Sequence, residues 1–361
     1  MEKTRLLFVT NHLFVGGVDK VAVDIVNGLD KDRFDVTLLV LFRYDPGRYH
    51  IDPRVHVQPV FKTYFKGLSH LVSLLPQTWL YRRLVRREYD YEIAFQAGVP
   101  TRMLSKSPSR AVKLAWMHGL DTDHLKEHQR FDKMVFISSE VMEAFAPLYG
   151  RPDDLILCYN PIDYKAIEEA ASEPIGEEVR RDAPILCTVG RFSPEKGFLR
   201  LLACHKALLD EGVRQQLWFV GDGHERKNME AYIRAHHLED SVRLWGYQTN
   251  PYRFISRSDV YVCSSFIEGL SVAATEAVLL GKPVVTTNVC GAKELLGDGE
   301  YGIVTENSEE ALVDGLRRML PEETRRHYAS KAEERADSFC RVDRIKPIEA
   351  LFSGHIAGQA G

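Results

Sequence analysis

Short apolar runs alternate along the chain with longer stretches of helical periodicity. Leu6–Thr10, Phe34–Leu41, Val55–Phe61, Tyr91–Phe95, Val112–Trp116, Met134–Ile137 and Leu155–Cys158 are apolar and rich in β-branched or aromatic residues, as strands require. Between the first two, Val18, Val21, Ala22, Ile25, Val26 and Leu29 fall on one face of a helix. A polar, helix-favouring stretch spans Tyr164–Asp182, and the alternation then restarts with strands at Pro184–Val189, Leu217–Val220, Val242–Leu244, Val260–Ser264 and Pro283–Thr287. A helix is expected from Ser271 to Leu280, stopped by Gly281. Strands that are apolar throughout, each followed by a helix, imply parallel sheets covered on both faces.

Two such series imply two doubly wound domains, which suits a length of 361 residues. The predicted division is 1–163, 164–335 and a C-terminal segment 336–361, with the hinge near Asn160–Asp163. The stretch Pro321–Phe352 reads as helical with no strand to return to, and the tail after it as frayed.

Composition adds bounds. The chain is 45% hydrophobic and 27% charged, which suits full cores in a globular protein. No apolar run is long enough to span a bilayer, and the N-terminus enters a strand without the apolar region of a signal peptide. A cytoplasmic protein is therefore expected. The six cysteines are scattered through apolar segments and read as buried free thiols. The net charge of −4 divides unevenly: residues 1–165 carry 23 Lys and Arg against 20 Asp and Glu, the remainder 24 against 31. The first half is the one suited to an anionic partner. Within it, Phe61–Arg87 interleaves Tyr64, Phe65, Leu68, Leu71, Leu74, Leu75, Trp79, Leu80 and Tyr81 with Lys62, Lys66, Arg82, Arg83, Arg86 and Arg87. That mixture suits either a helix lying on an anionic membrane surface or an amphipathic helix with a solvated basic face.

Candidate chemistry concentrates where strands end. After Val260–Ser264 the chain continues Phe266-Ile267-Glu268-Gly269-Leu270-Ser271 into a helix that contains Glu276. Ligands bind at the carboxyl ends of parallel strands, and amides at a helix start attract phosphate. Eight residues of helix would separate the two carboxylates by about 12 Å. Spacing alone fits ordinary helix charges. Yet Glu276 lies among Val272, Ala273, Ala274, Val278 and Leu279, where a buried carboxylate needs a partner. Gly190-Arg191-Phe192-Ser193-Pro194-Glu195-Lys196-Gly197 places two cations after a strand, a fork and a point charge suited to phosphate. Gly16-Gly17 follows the first strand but lacks the dinucleotide fingerprint, which disfavours a dehydrogenase. His118-Gly119 follows another strand, placed for substrate contact or as a surface histidine. Asp121 and Asp123 have the spacing of a metal-diphosphate pair, but helix capping explains them better. Asp222, between Gly221 and Gly223, reads first as a strand-to-helix turn.

Taken in order, Gly16-Gly17, His118, Asn160-Pro161-Ile162-Asp163, Gly190-Arg191 with Lys196-Gly197, Gly221-Asp222-Gly223, Gly246-Tyr247, Glu268-Gly269-Leu270-Ser271 with Glu276-Ala277, and Gly281-Lys282-Pro283-Val284 resemble glycosyltransferase family 4. Thr275 departs from the aliphatic residue usual before the second Glu. The resemblance implies an α/β protein of GT-B fold: two Rossmann-like domains facing a cleft, with the C-terminal helix crossing back to the N-terminal one. It implies a retaining glycosyltransferase using a nucleoside-diphosphate sugar, with uracil the usual base. The acceptor expected is a saccharide or lipid-linked saccharide, and the basic-aromatic stretch Phe61–Arg87, not the resemblance, points to a membrane-bound one such as a polyprenyl-linked saccharide in bacterial surface-polysaccharide synthesis. No metal, other cofactor or nucleic acid is implied. Arg191 and Lys196 would hold and stabilise the leaving diphosphate, and Gly16 and Gly17 would approach it from the N-terminal domain. Glu268 would hold sugar hydroxyls, with the amides of Gly269, Leu270 and Ser271 on sugar or phosphate oxygens. Glu276 would hold the ribose, backbone near Tyr247 the base, and His118 the sugar or acceptor. Alternative readings are a UDP-sugar 2-epimerase-like enzyme, a non-catalytic nucleotide-sugar-binding protein, and a metal-dependent transferase using Asp121 and Asp123.

Overall fold

The structure, a computed structural model, describes residues 2–353 except Val15, Lys62, Lys66, Glu177, Glu178 and Arg180. It divides into two compact units. One comprises Met1–Ile162 with the described part of Asp343–Gly361, the other Asp163–Val342. The expected C-terminal segment 336–361 is therefore split, since residues 336–342 pack with the second unit. The frayed tail beyond Ser353 lies outside the described residues.

The first unit holds seven strands: β1 (Thr4–Leu13), β2 (Phe34–Tyr44), β3 (His56–Pro59), β4 (Tyr91–Ala94), β5 (Val112–Met117), β6 (Lys133–Phe136) and β7 (Leu155–Leu157). They pair in parallel in the order β3-β2-β1-β4-β5-β6-β7. Leu6, Phe8, Val36, Leu38, Ile93, Met134 and Phe136 are fully buried, as expected of strands covered on both faces. Residues 345–351 form a helix on this unit. It closes down on Gly28, where a Cβ would lie 2.4 Å from Ile345 Cδ1. Phe352 packs edge-on against Phe8, Phe34 and Tyr91, and Glu349 pairs with Arg33 at 2.8 Å.

The second unit holds β8 (Ile185–Val189), β9 (Gln216–Val220), β10 (Val242–Gly246), β11 (Val260–Cys263), β12 (Val284–Thr287) and β13 (Ile303–Thr305), all parallel, in the order β10-β9-β8-β11-β12-β13. This is the doubly wound Rossmann order, with its switch point between β8 and β11. The edge strand β13 is absent from the expected set.

Two expectations are corrected. Pro321–Phe352 is not one helix: it runs Glu322–Arg335, widens into a π turn at Ala336–Cys340, and breaks before Ile345–Leu351. The division between the two units falls in that break, at Val342–Asp343. Phe61–Arg87 is likewise two short helices, Leu68–Ser73 and Gln77–Leu84, separated at Pro76. Pro76 lacks the N–H that a continuing helix would need. The Gln77 amide binds the carbonyls of Val72, Ser73 and Leu75 across the corner. Phe65, Leu71, Leu74 and Trp79 are more than half exposed. Arg82, Arg83 and Arg86 are also exposed, but Arg87 is held by Asp35 at 3.0 Å. Lys62 and Lys66 lie outside the described residues. No helix among those described is long and apolar enough to cross a membrane. The six cysteines are free, five of them buried and Cys290 partly so.

Candidate active site

The second unit brings together residues far apart in sequence at the ends of β8 and β11. After β8, Gly190 N–H donates to Val220 O at 3.0 Å and Phe192 N–H to Asp222 O at 2.9 Å. The turn carrying Arg191 is thus fixed to the exit of β9. That approach needs a glycine at 221, since a Cβ there would sit 1.9 Å from Gly190 O at a φ of +146. The Gly221-Asp222-Gly223 element is therefore a packing device for the Arg191 turn. Phe192 anchors it in the core against Phe198 and Phe219, and leaves the Arg191 guanidinium exposed.

A single 3₁₀ turn, Pro194–Lys196, follows and ends on Gly197 in the left-handed region, φ +64. A side chain at 197 would meet Ser264 O at 2.2 Å. This contact brings the β8 exit against the β11 exit. Ser264 Oγ donates to Lys196 O at 2.9 Å, and Phe266 N–H to Glu195 O at 2.8 Å. The result is a close pair: Lys196 Nζ donates to Glu268 Oε1 at 2.5 Å, and Ser265 Oγ to the same oxygen at 2.7 Å. Both side chains are only partly exposed, at 27% and 13%. Water screens such a pair less than one on the surface.

Gly269 and Leu270 lead into the helix Val272–Leu279. Its N-cap is Ser271, whose hydroxyl accepts from Ala274 N–H at 3.3 Å. Ser264, Ser265 and Leu270 are buried and Glu268 nearly so, whereas Phe266 and Ile267 project outward, 48% and 73% exposed. Glu276 is 5% exposed and accepts from Tyr252 Oη at 3.0 Å. The partner that its apolar surroundings demand thus includes a phenol from the short helix Tyr252–Ile255. Tyr252 carries no sequence signal, because it is 24 residues away on an element of one turn. Tyr247 follows β10 and is 37% exposed.

In the first unit the corresponding strand ends carry different chemistry. Gly16 caps the helix Gly17–Gly28, whose buried Asp19 accepts from Phe14 N–H and from Gln96 Nε2, both at 3.0 Å. Gln96 Oε1 in turn accepts from Asn11 N–H at 2.9 Å. Asp19 and Gln96 thus fix the glycine turn. Sequence reading passed over both, although an acid in a first helical turn is a visible signal. His118 follows β5 with its Nε2 buried and its ring edge-on to Phe95, centroids 4.7 Å apart. Burial pushes its pKa down to about 4, against a hydrogen bond with the Phe95 backbone, so the imidazole is neutral at pH 7. Asp121 faces His124 Nδ1 at 2.9 Å and His128 Nε2 at 3.5 Å, and it accepts from Asp123 N–H at 3.2 Å. It therefore closes a local turn with two histidines.

Comparison with known proteins accords with this geometry. Residues 172–336 match the sequence model of the family described as glycosyl transferases group 1. A Campylobacter jejuni protein, N-acetylgalactosamine-N,N'-diacetylbacillosaminyl-diphospho-undecaprenol 4-alpha-N-acetylgalactosaminyltransferase, is 31% identical over 53% of this chain and 51% of its own length. The chain thus spans about half of that relative. The lipopolysaccharide core biosynthesis glycosyltransferase LpsD of Rhizobium meliloti is 25% identical over 83% of this chain and 80% of its own. HepE of Anabaena, crystallised with UDP and glucose, superposes with a TM-score of 0.76 at 20% identity, covering 97% of this chain and all of its own. Residues 172–336, which hold every candidate charge of the second unit, are therefore similar in sequence to glycosyl transferases group 1, and the chain as a whole has the GT-B fold.

Proposed function

We propose that this protein is a retaining glycosyltransferase. It moves a sugar from a nucleoside diphosphate, most simply UDP, to a hydroxyl of a saccharide or polyprenyl-linked saccharide in bacterial surface-polysaccharide synthesis. The observation that carries this reading is the Lys196–Glu268 pair at the switch point of the second sheet, with Arg191 on the adjoining turn. A cation beside a carboxylate suits a ligand that joins an anion to a polyol. Lys196 and Arg191 would take the phosphates, Glu268 the sugar hydroxyls, and Glu276 the ribose.

In the reaction the bond between the anomeric carbon and the phosphate oxygen breaks, and a bond to the acceptor oxygen forms on the same face. The acceptor proton passes to the leaving phosphate. Arg191 and Lys196 stabilise the charge that develops there. Glu268 is committed to Lys196 and Ser265, which argues for a binding role over that of a nucleophile. Neutral His118 is suited to a single hydrogen bond with a sugar hydroxyl. No metal enters this scheme. Activity in EDTA equal to that in magnesium is expected, and its abolition would restore the metal-dependent reading.

The decisive experiment incubates the protein with a panel of UDP-sugars, with and without extracted polyprenyl-linked saccharides. Transfer with an unchanged anomeric configuration supports the reading, and conversion of the sugar without any acceptor points to an epimerase. The same reading assigns Phe65, Leu71, Leu74 and Trp79, with Arg82, Arg83 and Arg86, to an anionic lipid surface near a membrane-borne acceptor. Sedimentation with phosphatidylglycerol vesicles should be lost in the triple Arg82, Arg83, Arg86→Ala variant. Equal sedimentation of variant and parent would remove the assignment.

A further inference from the structure

The loop carrying Glu268 is held from behind by a cation that no sequence motif marks. Arg200 lies in the helix Phe198–Asp210, flanked by buried Leu201, Leu202 and Cys204, and is itself only 8% exposed. A guanidinium stays ionised in proteins, so its burial must be compensated by partners. Its hydrogen bonds go to uncharged oxygens. Nη2 donates to Ser264 O at 2.5 Å and Ser265 O at 3.1 Å, and Nη1 to Asn307 Oδ1 at 2.8 Å. The guanidinium carbon also stands 3.9 Å from the centre of the Phe266 ring.

These contacts converge on three consecutive residues. Asn307, which follows β13, donates its amide to Phe266 O at 3.1 Å, and Thr287, at the end of β12, donates its hydroxyl to Ser265 O at 2.6 Å. Arg200 thus grips the loop together with two neighbouring strand ends. A cavity of about 190 Å³ lies alongside, lined by Gly197, Phe198, Arg200, Glu225 and Phe266 among others. Without the guanidinium, the half-exposed Phe266 ring has space to move into. The Ser265 hydroxyl that holds Glu268 would shift with it.

We propose that Arg200 is a positioning residue of the donor site: it fixes the Ser264–Phe266 backbone and, through Ser265, the carboxylate of Glu268. The consequence for catalysis rests on the glycosyltransferase reading, whereas the clamp on the loop does not. The test compares wild type with Arg200→Met, which removes the fork, and with Asn307→Ala, an exposed position whose loss leaves the core intact. Amide hydrogen exchange at Phe266 should quicken by about tenfold or more in Arg200→Met, and by less in Asn307→Ala. Wild-type exchange at Phe266 in both would overturn the proposal.

With a UDP-sugar that wild type turns over, kcat/KM should fall by about 10²-fold in Arg200→Met, as for a misplaced site group. Inhibition by UDP itself should change by less than about threefold, since Glu268 serves the sugar. A purely structural role predicts equal losses for UDP and the UDP-sugar, and that result would also overturn the assignment. If wild type turns over none of the sugars, the glycosyltransferase reading fails, and the exchange measurement still decides whether Arg200 is the clamp.

Discussion

The two units share parallel sheets with the same core strand order, yet their strand ends are chemically unlike. In the second, the loop after β8 carries an arginine and a lysine, the segment after β11 carries two glutamates, and the lysine and one glutamate form a partly buried pair. In the first, the loops after β1 and β4 are closed by amide and carboxylate hydrogen bonds within the protein, Asn11 to Gln96 to Asp19, and the histidine after β5 is neutral. A shared topology fixes where a ligand can bind, because the switch point opens a crevice at the strand ends. It leaves open which unit carries the charge, and that is decided by a few loop residues.

The largest test of this contrast is Lys196→Ala. Turnover is expected to drop by about 10²- to 10³-fold, as when one stabilising donor is removed, with little change in melting temperature. Near-normal rates would end the claim that the second unit holds the leaving-group charge. Next comes a feature the units share, an imidazole buried in its neutral form. His205 is fully buried, and burial pushes its pKa to about 4. Gln215 Nε2 faces its Nδ1 at 3.2 Å, and Nε2 lies 2.9 Å from Ser241 Oγ, an arrangement that suits Nδ1 as acceptor and Nε2 as donor. Because the folded pKa lies below the unfolded value of 6.5, its contribution is complete above pH 6.5. It is lost as pH falls towards 4, by up to on the order of 3 kcal/mol. A His205→Gln variant should show a shallower loss of stability over that window in denaturant titrations. An identical pH profile would show that other groups set the slope.

Tyr252→Phe should weaken UDP binding by about tenfold in calorimetry, through loss of one hydrogen bond to a charged group. An unchanged affinity would detach Tyr252 from the role given to Glu276. The smallest effect is expected in the first unit. Asp19→Asn should cost about 1 kcal/mol of stability and only a few-fold in rate, since Asn keeps the shape but weakens the bond to Phe14 N–H. A loss as large as that of Lys196→Ala would erase the difference between the units.

Much of the scaffold could be read from the pattern of apolar residues. Twelve of the strands coincide with expected runs, and the central ones are apolar throughout because they are buried on both faces, whereas the edge strands β3 and β7 are partly exposed. The exception, Ile303–Thr305, pairs in register with β12 at the sheet edge, a pairing that lies between segments distant in sequence. The two helical expectations that failed did so at Pro76 and after Cys340, where composition still favours helix; a missing donor ends the first, and the second break coincides with the division between the units. The cations and carboxylates of the site were visible as well. Charged residues among apolar ones after a strand are conspicuous, and the resemblance gave them roles.

The sequence by itself determined the two parallel sheets, their approximate limits, and the identities of Arg191, Lys196, Glu268 and Glu276, since all of these are written in local periodicity and short spacing. Only the tertiary structure decided which groups meet: that Gly197 lets the β8 exit touch Ser264, that Lys196 pairs with Glu268, that Tyr252 holds Glu276, and that Arg200 braces the loop between them. Each of these contacts joins residues separated by 24 to 72 positions. Their separation in space is fixed by strand order and close packing, which no window along the chain contains.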